Sequence, residues 1–426
     1  MKSKFLNYIF WLVIAAAFIG PGTVTTAASA GASFQFQLLW ALVFSTFACI
    51  IVQEAAARIT IVSGKTLGGV IKDRFNKPLV WLIGMAIFLG CLAYEAGNIL
   101  GAISGLSLLN IGLPKWVFTL IISMVSASLL FFNRTKTIPQ VLGGLVALMG
   151  IGLLYAATRI EINLEELFSG LFVPSVPEGS TLMVLGLVGT TIVPYNIFLG
   201  SGLAAGKDLS SVRSGLIVSI ILGGLISMAI IVVGSSILGE FSFENLYQQL
   251  GADHGQWMGY MFAFGLFGAG FTSTITAALA GALTIQSVHP KGKGWSQTSK
   301  QMRFLWGGII LVGFILGASG IKPIPVIIAA QAANGFILPV VAIVLFILAN
   351  SPFMNSKRNG LGLNIAMLAT VFVTTILGLL NVFKAVYNVI GEVFKFDGVL
   401  VWIILSIALI VAFFTYYFAL KERTVK

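Results

Sequence analysis

In the stretch LAYEAGNILGAISG, Glu95 has no helical partner of opposite charge, and Asn98 follows it by one turn. A lone carboxyl inside an apolar segment is a functional group by default, because few structural roles offset the cost of taking it out of water. Two readings fit it: it takes up and releases a proton, or it stays neutral and bonds a nearby hydroxyl or carbonyl. Glu54 and Arg58 differ, since four residues apart they share one helix face and satisfy one another as a structural ion pair. In QAANGFILP, Gln331 and Asn334 lie one turn apart on a common face, so two amides could meet a polar ligand or bond across helices. A last set comes from two interruptions, Gly20, Pro21, Gly22 and Thr23 in FIGPGTVTTA and Val193, Pro194, Tyr195 and Asn196 in GTTIVPYNIF. These offer two hydroxyls, one amide and, above all, backbone. No nucleophile with a base, no zinc-spaced His/Cys set and no phosphate loop accompanies them, so nothing supports an enzyme.

The elements that hold these groups must be membrane helices. The chain has 426 residues, 58% of them hydrophobic and 9% charged, too few charges to solvate a globular surface of that size. Apolar stretches long enough to span run over 5–32, 36–63, 78–106, 115–132, 139–158, 180–206, 212–239, 255–288, 302–320, 324–350, 361–383 and 398–420. Lys2, Lys4, an apolar run and the small residues Ala27 to Ala30 mimic a cleavable signal, but the apolar character continues past any cut, so 5–32 is read as a span. Cys49 and Cys91 fall inside spans and imply no disulfide framework.

The net charge of +11 describes topology. Alternate loops carry Lys2 and Lys4; Lys65, Lys72, Arg74 and Lys77; Arg134 and Lys136; Lys207 and Arg213; Lys291, Lys293, Lys300 and Arg303; Lys357 and Arg358; and Lys421, Arg423 and Lys426. The other loops carry only Lys115, Arg159, Lys322, Lys384 and Lys395, together with most of the acids, among them Glu161, Glu165, Glu166, Glu240, Glu392 and Asp397. That bias predicts a multi-pass protein of the cell membrane with both termini cytoplasmic, surrounded by lipid and with no nucleic-acid partner. His254 then lies in an outer loop and His289 at a cytoplasmic helix end, neither suited to a relay across the bilayer.

A proline inside a helix removes a backbone hydrogen bond and frees carbonyls one turn earlier. In lipid, such backbone survives only where protein or a water-filled cavity covers it. Breaks in the first and sixth spans are what a five-plus-five inverted repeat produces, with a substrate between them. The expected architecture is therefore an all-α integral membrane protein of about twelve helices, a single domain over 1–426. Residues 5–158 form the first repeat, 180–350 the second, and 361–420 two further helices.

At this point several stretches resemble one family. QEAAARITIVSGKTLGGVIKDRF, EAGNILGAISGLSLL, LGLVGTTIVPYNIFLGSGLAAG and GAGFTSTITAALAGA look like the Nramp divalent-metal transporters. The resemblance implies the LeuT-type fold with discontinuous helices 1 and 6, and proton-coupled import of manganese, iron or similar ions by alternating access. It places Glu95 where the family has an aspartate of the proton route and Asn98 where it has a glutamate. It also sets a glutamine near the substrate, at Gln331. The departures matter. The first family break reads Asp-Pro-Gly-Asn and the second Met-Pro-His, so Gly20, Thr23, Val193 and Tyr195 replace the carboxylate, amide, thioether and imidazole. Soft sulfur and nitrogen ligands favour transition metals, and Val193 supplies none. Calcium and magnesium want oxygen ligands, and only hydroxyls, carbonyls, Asn196 and water remain. Thr272, Ser273 and Thr276 could hold sodium, as in other transporters of this fold, or back-bond to their own helix. No cofactor is expected beyond a coupling proton or sodium ion, and a monomer suffices. Three functions stay open: a cation transporter of altered selectivity, the same machine carrying a small carboxylate or zwitterion, and a non-transporting sensor.

Overall fold

The computed structural model describes residues 19–133, 137–237, 239–390 and 398–424. The part of the first span over 5–18 and the loop charges Lys2, Lys4, Arg134, Lys136, Glu392, Lys395, Asp397 and Lys426 lie outside the described residues. Among the described residues the protein is all-helical. The first half holds α1 (Pro21–Phe34), α2 (Leu39–Ser63), α3 (Leu67–Arg74), α4 (Lys77–Ser107), α5 (Lys115–Phe131) and α6 (Thr137–Ala157). After α7 (Leu164–Phe172) come α8 (Thr181–Thr191), α9 (Pro194–Ala204), α10 (Leu209–Ser235), α11 (Phe243–His254), α12 (Gln256–Val288), α13 (Lys300–Ala318) and α14 (Pro323–Asn350). Two more helices, α15 (Leu361–Ile390) and α16 (Gly398–Thr424), complete the chain.

The expected spans from 36–63 onward each coincide with a helix, except 180–206, which holds the pair α8 and α9, and of 5–32 only the part from residue 19 is described. Among the described residues, nine helical segments are long and apolar enough to cross a bilayer, α8 and α9 together forming one of them over Thr181–Gly202. The segments Lys115–Phe131 and Val141–Ala157 are shorter apolar helices. The chain is a multi-pass membrane protein. Helix starts follow local side-chain chemistry: Asn76, Asp208 and Ser299 each accept the backbone N–H three residues on, at 3.1, 2.9 and 3.4 Å, satisfying amides that a helix start leaves open. The short helices α3, α7 and α11 sit in connections that the hydropathy pattern left blank. They too begin on caps, at Thr66, Asn163 and Ser242.

Close backbone approach sets the packing. The long helix α12 lies along α4, where a methyl group built on Gly270 would come 2.5 Å from Ala102 N. Against α10, a methyl on Gly31 of α1 would come 2.1 Å from Ile231 O. Small residues at such crossings let membrane helices gain dispersion contacts that a hydrophobic drive does not supply in lipid.

At the lysine- and arginine-rich face, Glu54 and Arg58 pair as their spacing predicts, with Nε 3.0 and 3.2 Å from the two carboxyl oxygens. The pair is the centre of a larger network. Arg213 of α10 donates to Glu54 Oε1 at 2.6 Å, and Arg58 also donates to Lys357 O and, at 2.6 Å, to Asn359 Oδ1. Arg423 of α16 donates to Asn350 Oδ1 and Asn359 O, so α2, α10, α14 and α16 are tied at one face. On the same face Lys65 donates to Asp73 at 2.7 Å and holds that carboxyl below the usual carboxylate range, but both are exposed and the pair contributes little to stability.

Candidate functional site

The helix α1 starts at Pro21. Gly20 before it is extended (φ −92°, ψ 174°), no side chain caps the start, and no acid lies in the first turn. The Pro21 ring packs against Gly101 of α4, where a methyl would come 2.2 Å from Pro21 Cβ. The second interruption is described on both sides. Helix α8 ends at Thr191, Ile192 and Val193 are non-helical, and α9 begins at Pro194 without a side-chain cap. By connectivity α9 runs to the basic face and α1 to the opposite one, so two helix N-termini point inward from the gaps. Each brings partial positive charge.

The two gaps meet. Thr23 Oγ1 and Thr190 Oγ1 are 2.9 Å apart and join α1 to the last turn of α8. From the other side α14 closes in: the Gln331 amide lies on Gly22, where a methyl would sit 1.8 Å from Nε2, and the Gln331 carbonyl lies on Gly189, where a methyl would sit 2.0 Å from O. Asn334, one turn on, donates to Gly189 O at 3.2 Å. Ser273 of α12 faces Gly20, its Oγ 3.6 Å from a methyl built there, while Thr272 and Thr274 donate to their own helix at Gly268 O (2.8 Å) and Gly270 O (3.0 Å) and Thr276 donates to Thr272 O. Of the residues singled out in the sequence, Gly20, Pro21, Gly22, Thr23, Gln331 and Ser273 thus gather at the first gap or beside it, and Asn334 bonds to Gly189 near the second. Val193, Pro194, Tyr195 and Asn196 form the second.

A residue that sequence reasoning missed links them. Tyr94 of α4 donates to Gly189 O at 2.9 Å, contacts Gln331 Oε1 and accepts from Asn334 Nδ2. Its ring meets that of Tyr195 edge to face, centroids 5.4 Å apart. Glu95, the next residue, leaves α4 toward α13, where a methyl on Gly313 would lie 2.6 Å from Glu95 Cγ. Glu95 is fully buried, neither carboxyl oxygen has a hydrogen-bond partner, and the Asn98 amide nitrogen also lacks one. Asn98 does interact with the Glu95 carboxyl, at a geometry short of a hydrogen bond.

The gaps therefore present hydroxyls, amides and carbonyls and no fixed charge. Among the described residues no group of three or more His, Cys, Asp or Glu side chains could hold a metal ion. A cavity of about 460 Å³ lies along α9 and α12 at the basic face, lined by Thr66, Phe198, Leu283, Thr284, Ser287 and Lys293 among others.

Comparison with known proteins gives this geometry a family. The profile of the Nramp, or natural resistance-associated macrophage protein-like, family matches residues 11–384. The divalent metal cation transporter MntH of Klebsiella pneumoniae (strain 342) is 24% identical over 369 residues, covering 82% of this chain and 86% of its own. Among solved structures, the Eremococcus coleocola manganese transporter, in complex with an aromatic bis-isothiourea substituted compound, superposes with a TM-score of 0.68 at 18% identity, covering 97% of this chain and 92% of its own. MhsT in complex with L-phenylalanine gives a TM-score of 0.61 at 15% identity, with 88% and 98% covered. These two likenesses carry the fold, which is LeuT-type. With the family profile spanning most of the sequence, the chain belongs to the Nramp family.

Proposed function

We propose that this protein is a secondary transporter that carries a divalent cation by alternating access, with a selectivity moved away from soft transition metals. The observation that carries the reading is the meeting of two helix breaks through Thr23 and Thr190 with only neutral oxygen and amide groups around them. Metal transport in the MntH and manganese-transporter relatives supports a cation cargo. The missing thioether and imidazole argue for an ion that keeps part of its water shell, as magnesium does. In this reading Gly20, Thr23, Val193, Tyr195, Asn196, Gln331 and Asn334 surround the cargo and the halves 5–158 and 180–350 rock about it. Glu95, beside Asn98, loads and unloads the coupling proton. The basic face with its cavity is cytoplasmic, in the cell membrane, and a monomer performs the cycle.

Uptake into liposomes of manganese, magnesium and a panel of organic acids, under separately imposed pH and sodium gradients, tests this. Magnesium flux exceeding manganese flux is expected; absence of any divalent flux together with absence of calorimetric metal binding would sink the reading. In the same assay Glu95→Gln abolishes the stimulation by a pH gradient, and unchanged stimulation removes Glu95 from the proton route. Gly20→Asp restores the carboxylate the family has at this place. Gly20 is half-buried and its built methyl meets nothing closer than 3.6 Å, so the side chain fits. The expected result is manganese binding at least tenfold tighter, on the order of the 1.4 kcal/mol that one charged ligand readily supplies.

One observation favours a second reading. Two uncapped helix starts with no acid in the first turn of α1 form a niche for an anionic group, so a small carboxylate or zwitterion could be the cargo. Saturable uptake of one organic acid without metal flux selects it.

A further inference from the structure

The break between α8 and α9 frees the Gly189 carbonyl, whose helical partner would be the amide of Val193. A freed carbonyl at the end of a half-helix is a natural cation ligand. Here it is already occupied: Tyr94 donates to it at 2.9 Å and Asn334 at 3.2 Å. Both residues are buried, at 4% and 2% exposure. The phenol also contacts Gln331 Oε1 and accepts from Asn334, so the side-chain oxygen of Gln331 is engaged as well, while its Nε2 lies on Gly22 of the first gap.

We propose that Tyr94, with Asn334, is a specificity-determining residue that keeps the Gly189 carbonyl and the Gln331 oxygen from coordinating a dehydrated cation. The two donors stand where positive charge would otherwise sit, and they hold it with neutral N–H and O–H groups. An ion that must shed its water to bind finds no oxygen released to replace that water, whereas a hydrated ion meets the hydroxyls of Thr23 and Tyr195 at no such cost. The phenol further spans the site, touching α8 through Gly189, α9 through the Tyr195 ring and α14 through Gln331 and Asn334. A one-atom change at its tip therefore alters the ligand set with the ring packing kept. This inference rests on the cation reading and explains its altered selectivity.

The test measures manganese affinity by calorimetry in the purified full chain, in the Gly20→Asp variant, and in Gly20→Asp combined with Tyr94→Phe or with Asn334→Ala, with thermal unfolding followed in the same samples. Tyr94→Phe keeps the ring against Tyr195 and releases the one acceptor that the single phenol proton holds, Gly189 O or Gln331 Oε1. The expected gain over Gly20→Asp alone is about tenfold, the scale of one buried acceptor set free. Asn334→Ala shifts affinity in the same direction, and serves if one variant fails to fold. Unchanged or weaker affinity in the folded double variants overturns the inference, as does manganese binding by none of the Gly20→Asp chains. If the double variants bind manganese as expected while the unaltered chain moves no divalent ion in liposomes, the cation reading falls and the role of Tyr94 stands.

Discussion

Arg58→Ala lowers stability by about 3–5 kcal/mol, the cost of leaving a buried partner uncompensated. Arg58 is 2% exposed. Its guanidinium bridges both oxygens of Glu54 and also donates to Lys357 O and Asn359 Oδ1. Removing it strands the Glu54 carboxylate in a buried position with Arg213 as its remaining partner, and it frees two acceptors in the segment after α14. Arg213→Ala is the contrasting case. Its side chain is 45% exposed and Glu54 keeps Arg58, so the loss stays within about 1 kcal/mol. Thermal unfolding in detergent, read as the temperature at which the monodisperse fraction is lost, separates the two. Equal shifts for both variants would mean that the pair does not act as the buried centre of the network.

Gly189→Ala brings liposome uptake to the background of protein-free vesicles. The added methyl would lie 2.0 Å from Gln331 O and 3.0 Å from Gln331 C, so it meets backbone that no rotamer change can move. Either α14 shifts away from α8 or the end of α8 unwinds further. Both displace Gln331 from Gly22 and pull apart the donors at the second gap. Overpacking of this kind costs about 1–3 kcal/mol, less than Arg58→Ala, so folded protein remains to be assayed. Uptake within twofold of the unaltered chain would show that the contact between α8 and α14 is not part of the working geometry.

The two gaps were legible because proline leaves a strong local mark: Pro21 and Pro194 both open a helix after non-helical residues. The pairing of Glu54 with Arg58 was legible for a similar reason, as four residues on a helix fix the geometry. Arg213 was not, since its partner is 159 residues away and no periodicity encodes it. Tyr94 was missed on the same ground. A tyrosine in an apolar span reads as a packing residue, and only the fold brings its hydroxyl to Gly189, Gln331 and Asn334. Gln331 and Asn334 were seen as one face with two open readings; Asn334 bonds across helices to Gly189, and the Gln331 amide lies against Gly22 of the first gap. The short helices α3, α7 and α11 escaped because hydropathy reports spans, whereas these elements declare themselves only by their caps.

The neutrality of the gaps has an electrical consequence. With no ionised side chain at Gly20, Thr23, Val193 or Tyr195, an unloaded carrier offers nothing there for the membrane voltage to push. Only cargo feels the field in this region, at roughly 2.3 kcal/mol per elementary charge for each 100 mV. Steps taken with the gaps occupied by a divalent ion would speed or slow with potential, while any voltage dependence left in the empty return would trace to the protonation state of Glu95 and not to the gaps.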